Sequence, residues 1–268
     1  KWPNRHRTKQ RMGLIADIER ASNHDGPGLR SVVFFKGCPL ACKWCHNPEC
    51  ISFQPQTLFY PEKCIGCGQC KNGCYSGARV LCGREMTVDA VLEQLLQDAA
   101  YYQNSGGGVT FSGGEPQAQP EFLNALLTAC KARGIHTAIE TAMPVYYPEI
   151  LKKADLLLVD FKIWDDALHR EYTGVSNRQI LKNIQAASAL GVPMVVHTPI
   201  IPGVNNTKEN ILAIKAFLKP LKNVTKYELL PYHPLGVPKQ RALGQTPVEF
   251  KIPTAKEMEE LQHYADLP

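Results

Sequence analysis

Hydrophobic residues recur along this chain in short β-branched blocks, separated by stretches with helical spacing. Ser31–Lys36 (SVVFFK) reads as a buried strand from its valines and phenylalanines, and it ends at Gly37. Thr87 stands in capping position ahead of Val88, Val91, Leu92, Leu95, Leu96 and Ala99, which repeat with a period near 3.6 residues. From Gly108 the two patterns alternate. Strand Gly108–Ser112 precedes a helix across Leu123–Lys131, Thr137–Glu140 a short helix, and Leu156–Asp160 a helix through Ile180–Leu190. Met194–His197 precedes a helix around Ile211–Leu218, and Tyr227–Leu230 a last helix near Thr254–Ala265. Six strands, each followed by a helix, predict an α/β fold with a parallel sheet and right-handed crossovers. Eight such units close a full TIM-type barrel, so six predict a partial, open (β/α)6 barrel whose active site lies at the strand C-terminal ends.

Length and composition narrow this picture. At 268 residues the chain suits one catalytic unit with an insertion. No apolar run approaches the length needed to cross a bilayer, so a soluble protein without membrane association is expected. The formal net charge is +5, but Lys1, Arg5, Arg7, Lys9 and Arg11 supply all of it, leaving the rest of the chain formally neutral. That distribution speaks against a nucleic-acid-binding face. Residues 1–11 lack the apolar stretch of a secretory signal and read as a basic flexible tail ahead of a start at Met12.

Seven of the ten cysteines fall into two groups at metal-ligand spacing, which points to a reducing cytoplasm and away from a disulfide scaffold. Cys38, Cys42 and Cys45 (GCPLACKWCHN) follow the first strand with CX3CX2C spacing, which suits three irons of a [4Fe-4S] cube and leaves the fourth iron open to a chelating ligand. Cys64, Cys67, Cys70 and Cys74 (CIGCGQCKNGC) form the CX2CX2CX3C run of bacterial ferredoxins. A structural zinc ion is the alternative at either group, with His46 or Cys50 as a fourth ligand at the first. Residues 51–85 are loop-rich and read as an inserted module between barrel segments 12–50 and 86–268.

The CX3CX2C motif with Trp44 before its last cysteine resembles the signature of radical S-adenosylmethionine (SAM) enzymes. The resemblance continues through HDGPGLRSVVFFKGCPLACKWCHNPE (His24–Glu49), SGGEP (Ser112–Pro116), VDFK (Val159–Lys162), TGVSN (Thr173–Asn177) and LLPYH (Leu229–His233). Together these resemble the activating enzymes of glycyl radical enzymes, over nearly the whole chain from Met12 onward. The resemblance implies that Cys38, Cys42 and Cys45 hold the cluster to which SAM binds. It implies that Gly113, Gly114 and Glu115 receive the SAM amino group, and that Glu140 and Thr141 lie near its carboxylate and a cation. Asp160 and Lys162 approach SAM and the peptide substrate, His197 stands where relatives often have a SAM-contacting Arg, His233 lies near the nucleoside, and Trp44 lines the adenine pocket. The implied chemistry is reductive cleavage of SAM to a 5′-deoxyadenosyl radical, which abstracts hydrogen from a backbone glycine of a partner. Asp25-Gly26-Pro27-Gly28 is placed to receive the partner's loop.

Relatives with a ferredoxin-like insertion usually carry the second cysteine run twice, whereas this chain carries it once. One auxiliary [4Fe-4S] cluster is therefore expected, closed by Cys74 or else by the spare Cys82. The remaining expectations are a cytoplasmic monomer, served by a flavodoxin or ferredoxin as electron donor. Two rival readings stay open: a radical SAM enzyme acting on a small molecule or maturing peptide, and a non-catalytic metal-binding or electron-transfer protein.

Overall fold

The structure, a computed structural model, describes residues 11–70 and 73–266. The basic tail ahead of Arg11 lies outside the described residues. Strands β1 (Met12–Ser22) and β2 (Arg30–Phe35) open the chain as an antiparallel pair. Strands β3 (Gln56–Phe59) and β4 (Arg79–Cys82) form a separate two-stranded sheet, and β5 (Arg84–Thr87) returns to pair with β1. Helices α1 (Val88–Leu96) and α2 (Ala99–Ser105) then lead into β6 (Gly108–Gly113), followed by α3 (Pro120–Lys131). Next come β7 (His136–Thr141), α4 (Pro148–Leu151), β8 (Leu156–Asp160), α5 (Asp166–Thr173) and α6 (Arg178–Ser188). The chain ends with β9 (Met194–Ile200), α7 (Lys208–Leu218), β10 (Val224–Pro231), α8 (Gly236–Ala242) and α9 (Ala255–Ala265).

The main sheet has the order β10-β9-β8-β7-β6-β2-β1-β5. Its six strands from β2 to β10 pair in parallel, as the alternating pattern predicts for a partial barrel. From β2 to β9 these strands are buried along most of their length, whereas the edge strand β10 exposes Thr225, Lys226, Leu230 and Pro231. Val33, Val109, Phe111, Ile139, Leu157, Val159 and Val196 form the sheet side of the core, against Phe122, Leu123, Leu126, Ile184, Ile211 and Ile214 from the helices.

Thr87 caps α1 by accepting a bond from the Ala90 N–H, but the helix read through Ala99 breaks into α1 and α2. The break falls where Asp98 turns inward. Its carboxylate takes bonds from Arg20 and from Ser31 Oγ at 2.8 Å, which draws the backbone out of helical register. Among the described residues, no helix is long and apolar enough to cross a membrane.

Candidate active site and cysteine centres

All six parallel strands deliver polar residues to one rim. The C-terminal end of β2 runs into the Cys38–Cys45 loop, β6 into Gly113-Gly114-Glu115, and β7 ends on Glu140 and Thr141. Strand β8 ends on Asp160 with Lys162 just beyond, β9 carries His197, and His233 follows β10.

Backbone bonds fix the cysteine loop at several points. Gly37 N donates to Cys50 O at 2.8 Å, Cys38 N to Ile51 O at 2.9 Å, Ala41 N to Thr173 O at 2.8 Å and Lys43 N to Tyr172 O at 2.9 Å. The Gly-Gly turn packs directly on it, with Gly114 N bonded to Phe35 O and Glu115 N to Gly37 O, both at 2.8 Å. A Cβ at Gly114 would stand 2.4 Å from Gly37 O and 2.8 Å from Cys50 O, and Gly113 has φ +97, so both positions require glycine.

Burial pushes the Cys38 and Cys45 thiols up to about 12 and raises Cys42 as well. Two backbone N–H groups, those of Leu40 and Asn47, act in the opposite direction on Cys38 and Cys45, as does the Lys162 ammonium on all three. Three buried thiols of this kind ionise only against a strong positive centre. A single zinc ion with bonds of about 2.3 Å holds its sulfurs less than about 4 Å apart. Among the described residues, only Glu140, Asp160 and His197 bring three such donor atoms within 4.8 Å of one another. No three cysteine sulfurs among the described residues stand that close, and Cys38, Cys42 and Cys45, on one loop, suit an iron-sulfur cluster with three protein ligands.

Opposite the thiols lies a group of acceptors, each anchored through one atom. The Ser112 hydroxyl donates to Glu140 Oε2, Lys162 Nζ lies 2.9 Å from Asp160 Oδ2, and His197 Nε2 lies 3.3 Å from Glu228 Oε2. His197 Nδ1 is buried with no hydrogen-bond partner among the described residues. Burial and the neighbouring Asp160 push the Glu140 carboxyl up to about 7. Burial opposes the charge on Lys162, but Asp160 and the Cys42 thiol hold its pKa above the ordinary lysine value. Glu228 was not singled out from the sequence. Its role becomes visible only once β9 and β10 are in register, which sets it beside His197.

Glu115 and Thr141 meet each other: the carboxyl is 1% exposed, accepts from the Thr141 hydroxyl and from Gln117 N, and burial pushes it up to about 7. The His233 ring meets His46 edge-on at 4.5 Å, and His46 is pushed down to about 4 by burial and by His233. Trp44 is buried among aromatic rings, 6.1 Å from Tyr172 and 6.2 Å from Phe250.

Cys64, Cys67, Cys70 and Cys74 line one small hollow together with Phe59, Ile65 and Arg79. Cys82 stands apart from it, 7% exposed at the end of β4, where its thiol faces Glu49 O at 3.7 Å.

Comparison with known proteins agrees with this geometry. The family model of the radical SAM superfamily matches residues 32–213. A three-cysteine loop at the rim of an open parallel barrel defines that class of enzyme. The chain is 38% identical over 286 aligned positions to the trans-4-hydroxy-L-proline dehydratase activating enzyme of Clostridioides difficile, covering 93% of this chain and 94% of that protein. It is 38% identical over 276 positions to the (2S)-3-sulfopropanediol sulfolyase activating enzyme of Bilophila wadsworthia, covering 88% and 90% respectively. Among solved structures, a domain of a pyruvate-formate lyase-activating enzyme from Bacteroides vulgatus superposes with a TM-score of 0.50 at 32% identity, over 60% of this chain and 93% of that one. The chain belongs to the radical SAM superfamily and, within it, to the activating enzymes of glycyl radical enzymes. It cleaves SAM and generates the glycyl radical of a partner enzyme.

Proposed function

We propose that this activase works through two cysteine centres with distinct tasks. Cys38, Cys42 and Cys45 hold a [4Fe-4S] cluster with one iron left for the amino and carboxylate groups of SAM. When bound, that cluster supplies one electron to the SAM sulfonium. Gly113 and Gly114 let backbone approach the amino acid end of SAM beside Glu115. Glu140, Thr141, Asp160, Lys162, His197, His233 and Trp44 supply the remaining contacts, with the Lys162 ammonium favouring ionised thiols. His197 Nδ1, buried and unpartnered, accepts a hydrogen bond from the bound ligand. The observation that carries this reading is the convergence of six strand ends on one rim around the cysteine loop. Residues at the barrel mouth position the reacting groups and, with ligand and partner bound, exclude water, which a reactive carbon radical requires.

Barrel segments 12–50 and 86–268 form the catalytic unit in this reading, and residues 51–85 form a ferredoxin-like insertion with one auxiliary [4Fe-4S] cluster on Cys64, Cys67, Cys70 and Cys74. Three of these cysteines are exposed, which suits electron entry from a flavodoxin or ferredoxin. The protein acts as a cytoplasmic monomer on a dehydratase- or lyase-type glycyl radical enzyme, the kind of partner named for its relatives.

Anaerobic reconstitution with iron and sulfide tests the proposal. About eight irons per chain, a SAM-induced change in the EPR signal of the reduced enzyme, and release of 5′-deoxyadenosine are expected. A glycyl radical doublet on an added partner completes the test. About four irons per chain would remove the auxiliary cluster from the proposal, and an EPR signal unmoved by SAM would remove the open iron.

A further inference from the structure

We infer that Lys239 is a positioning residue of the active cysteine loop, acting from α8 through Asn47 and Glu49. The inference rests on the reading of Cys38, Cys42 and Cys45 as the cluster site. An ammonium group has three N–H donors and no acceptor. Lys239 directs its Nζ to three acceptors on one short segment: His46 O at 3.2 Å, Asn47 Oδ1 at 2.8 Å and Glu49 Oε1 at 2.7 Å. That segment begins at the residue after Cys45, so where it sits sets the end of the cysteine loop. Hydrogen bonds to cluster sulfurs are one of the means by which a protein sets reduction potential and holds its cluster. Lys239 therefore fixes the backbone next to Cys45, on which such donors would lie, without touching the sulfur itself.

Neighbouring contacts show that α8 is fitted to this loop. Gly236 lies so close to the loop that a Cβ would stand 2.0 Å from Cys45 O, and Gln240 Nε2 reaches Lys43 O at 3.3 Å. On the opposite side, Lys36 Nζ and the Cys82 thiol both donate to Glu49 O, so the segment after Cys45 is gripped from barrel, insertion and α8 together. Lys239 and Glu49 are 28% and 16% exposed at their side chains, and Glu49 Oε2 is buried with no partner of its own. Removing Lys239 leaves a largely buried carboxylate without its hydrogen-bonded cation and with only the Lys36 ammonium in range, which pushes the segment toward solvent and shifts the backbone after Cys45 with it.

The test uses anaerobically reconstituted holoenzyme in four forms: wild type, Lys239→Met, Lys239→Arg and Glu49→Gln. Three measurements are made on each: the rate of iron release from the three-cysteine loop to a chelator, the midpoint potential of that cluster by EPR-monitored titration, and the thermal midpoint. Lys239→Met is expected to release iron roughly 10-fold faster or more and to move the potential to a more negative value. Lys239→Arg, which keeps charge and donors, is expected to recover most of both, with Glu49→Gln between. If Lys239→Met does not fold, the Glu49→Gln form decides by the same two readouts. A lowered thermal midpoint with release and potential unchanged would show a merely structural role and overturn the inference. A wild-type enzyme that holds no iron on the loop would instead overturn the reading on which it rests.

Discussion

The Thr141 hydroxyl lies 2.9 and 2.8 Å from the two carboxyl oxygens of Glu115, so a residue read from the sequence as a SAM contact is tied to a neighbouring strand end. Backbone N–H groups of Gln117 and Ala142 complete its surroundings. Burial nevertheless dominates and holds this carboxyl up to about 7.

A pH dependence of stability follows. The folded state binds the Glu115 proton more tightly than the unfolded chain, so this residue's contribution is fully present below the ordinary carboxylate range and is lost as pH rises through about 7. Glu115→Gln removes the titration while keeping an acceptor for Thr141. Its stability should gain on wild type between about pH 5 and pH 7, by up to about 3 kcal/mol, and stay constant in difference above about pH 8. Denaturant unfolding across that range checks this; a difference independent of pH would exclude Glu115 as the titrating group.

The choice between Cys74 and Cys82 as fourth ligand has a direct outcome. Cys74 shares the hollow with Cys64, Cys67 and Cys70, whereas Cys82 is turned toward Glu49. Cys74→Ala should lose about four irons per chain and Cys82→Ala none. Iron and sulfide analysis of the two variants separates the alternatives, and equal losses would show that Cys82 takes part.

The Lys162 ammonium favours ionised Cys42 and Cys45 thiols while pairing with Asp160. Lys162→Met strands Asp160 as a largely buried carboxylate, a change that typically costs about 3–5 kcal/mol. Weaker SAM binding by at least about tenfold and lower iron retention are expected, measured by equilibrium dialysis and metal analysis. Asp160→Asn in the same background should restore part of the stability but not the SAM affinity.

Gly114→Ala places a methyl group against two backbone carbonyls, Gly37 O and Cys50 O, neither of which is a flexible side-chain end. Overpacking of this kind typically costs about 1–3 kcal/mol. Since the clash presses on both ends of the cysteine loop, cluster loading should fall along with the unfolding midpoint. Full iron content in a destabilised Gly114→Ala protein would uncouple the turn from the loop.

The parallel strands were legible because those from β2 to β9 are short and largely buried, with apolar residues at their centres, and β8 was read with its observed bounds, Leu156–Asp160. Strand β1 was not. Its eleven residues include Asp17, Glu19 and Arg20, its apolar positions keep no clean alternation, and its pairing with β2 slips twice at irregular points. Strand β5 (REMT) exists only because β1 offers it an edge. The two cysteine groups could be picked out from spacing alone, since their members are close in sequence. Glu49, Lys239 and Glu228 were not, because each acquires its partner through tertiary contact or strand register.

The grip of α8 on the cysteine loop also bears on how the enzyme is made. Asn47 and Lys239 are 192 residues apart, so during synthesis the loop emerges long before the helix that covers it. Domains complete only as their last elements leave the ribosome. Until then the first cysteines lie on an unfinished surface, open to any metal or oxidant in the cell. The loop that carries Cys38, Cys42 and Cys45 thus reaches its finished surroundings only when α8, close to the end of the described residues, is in place.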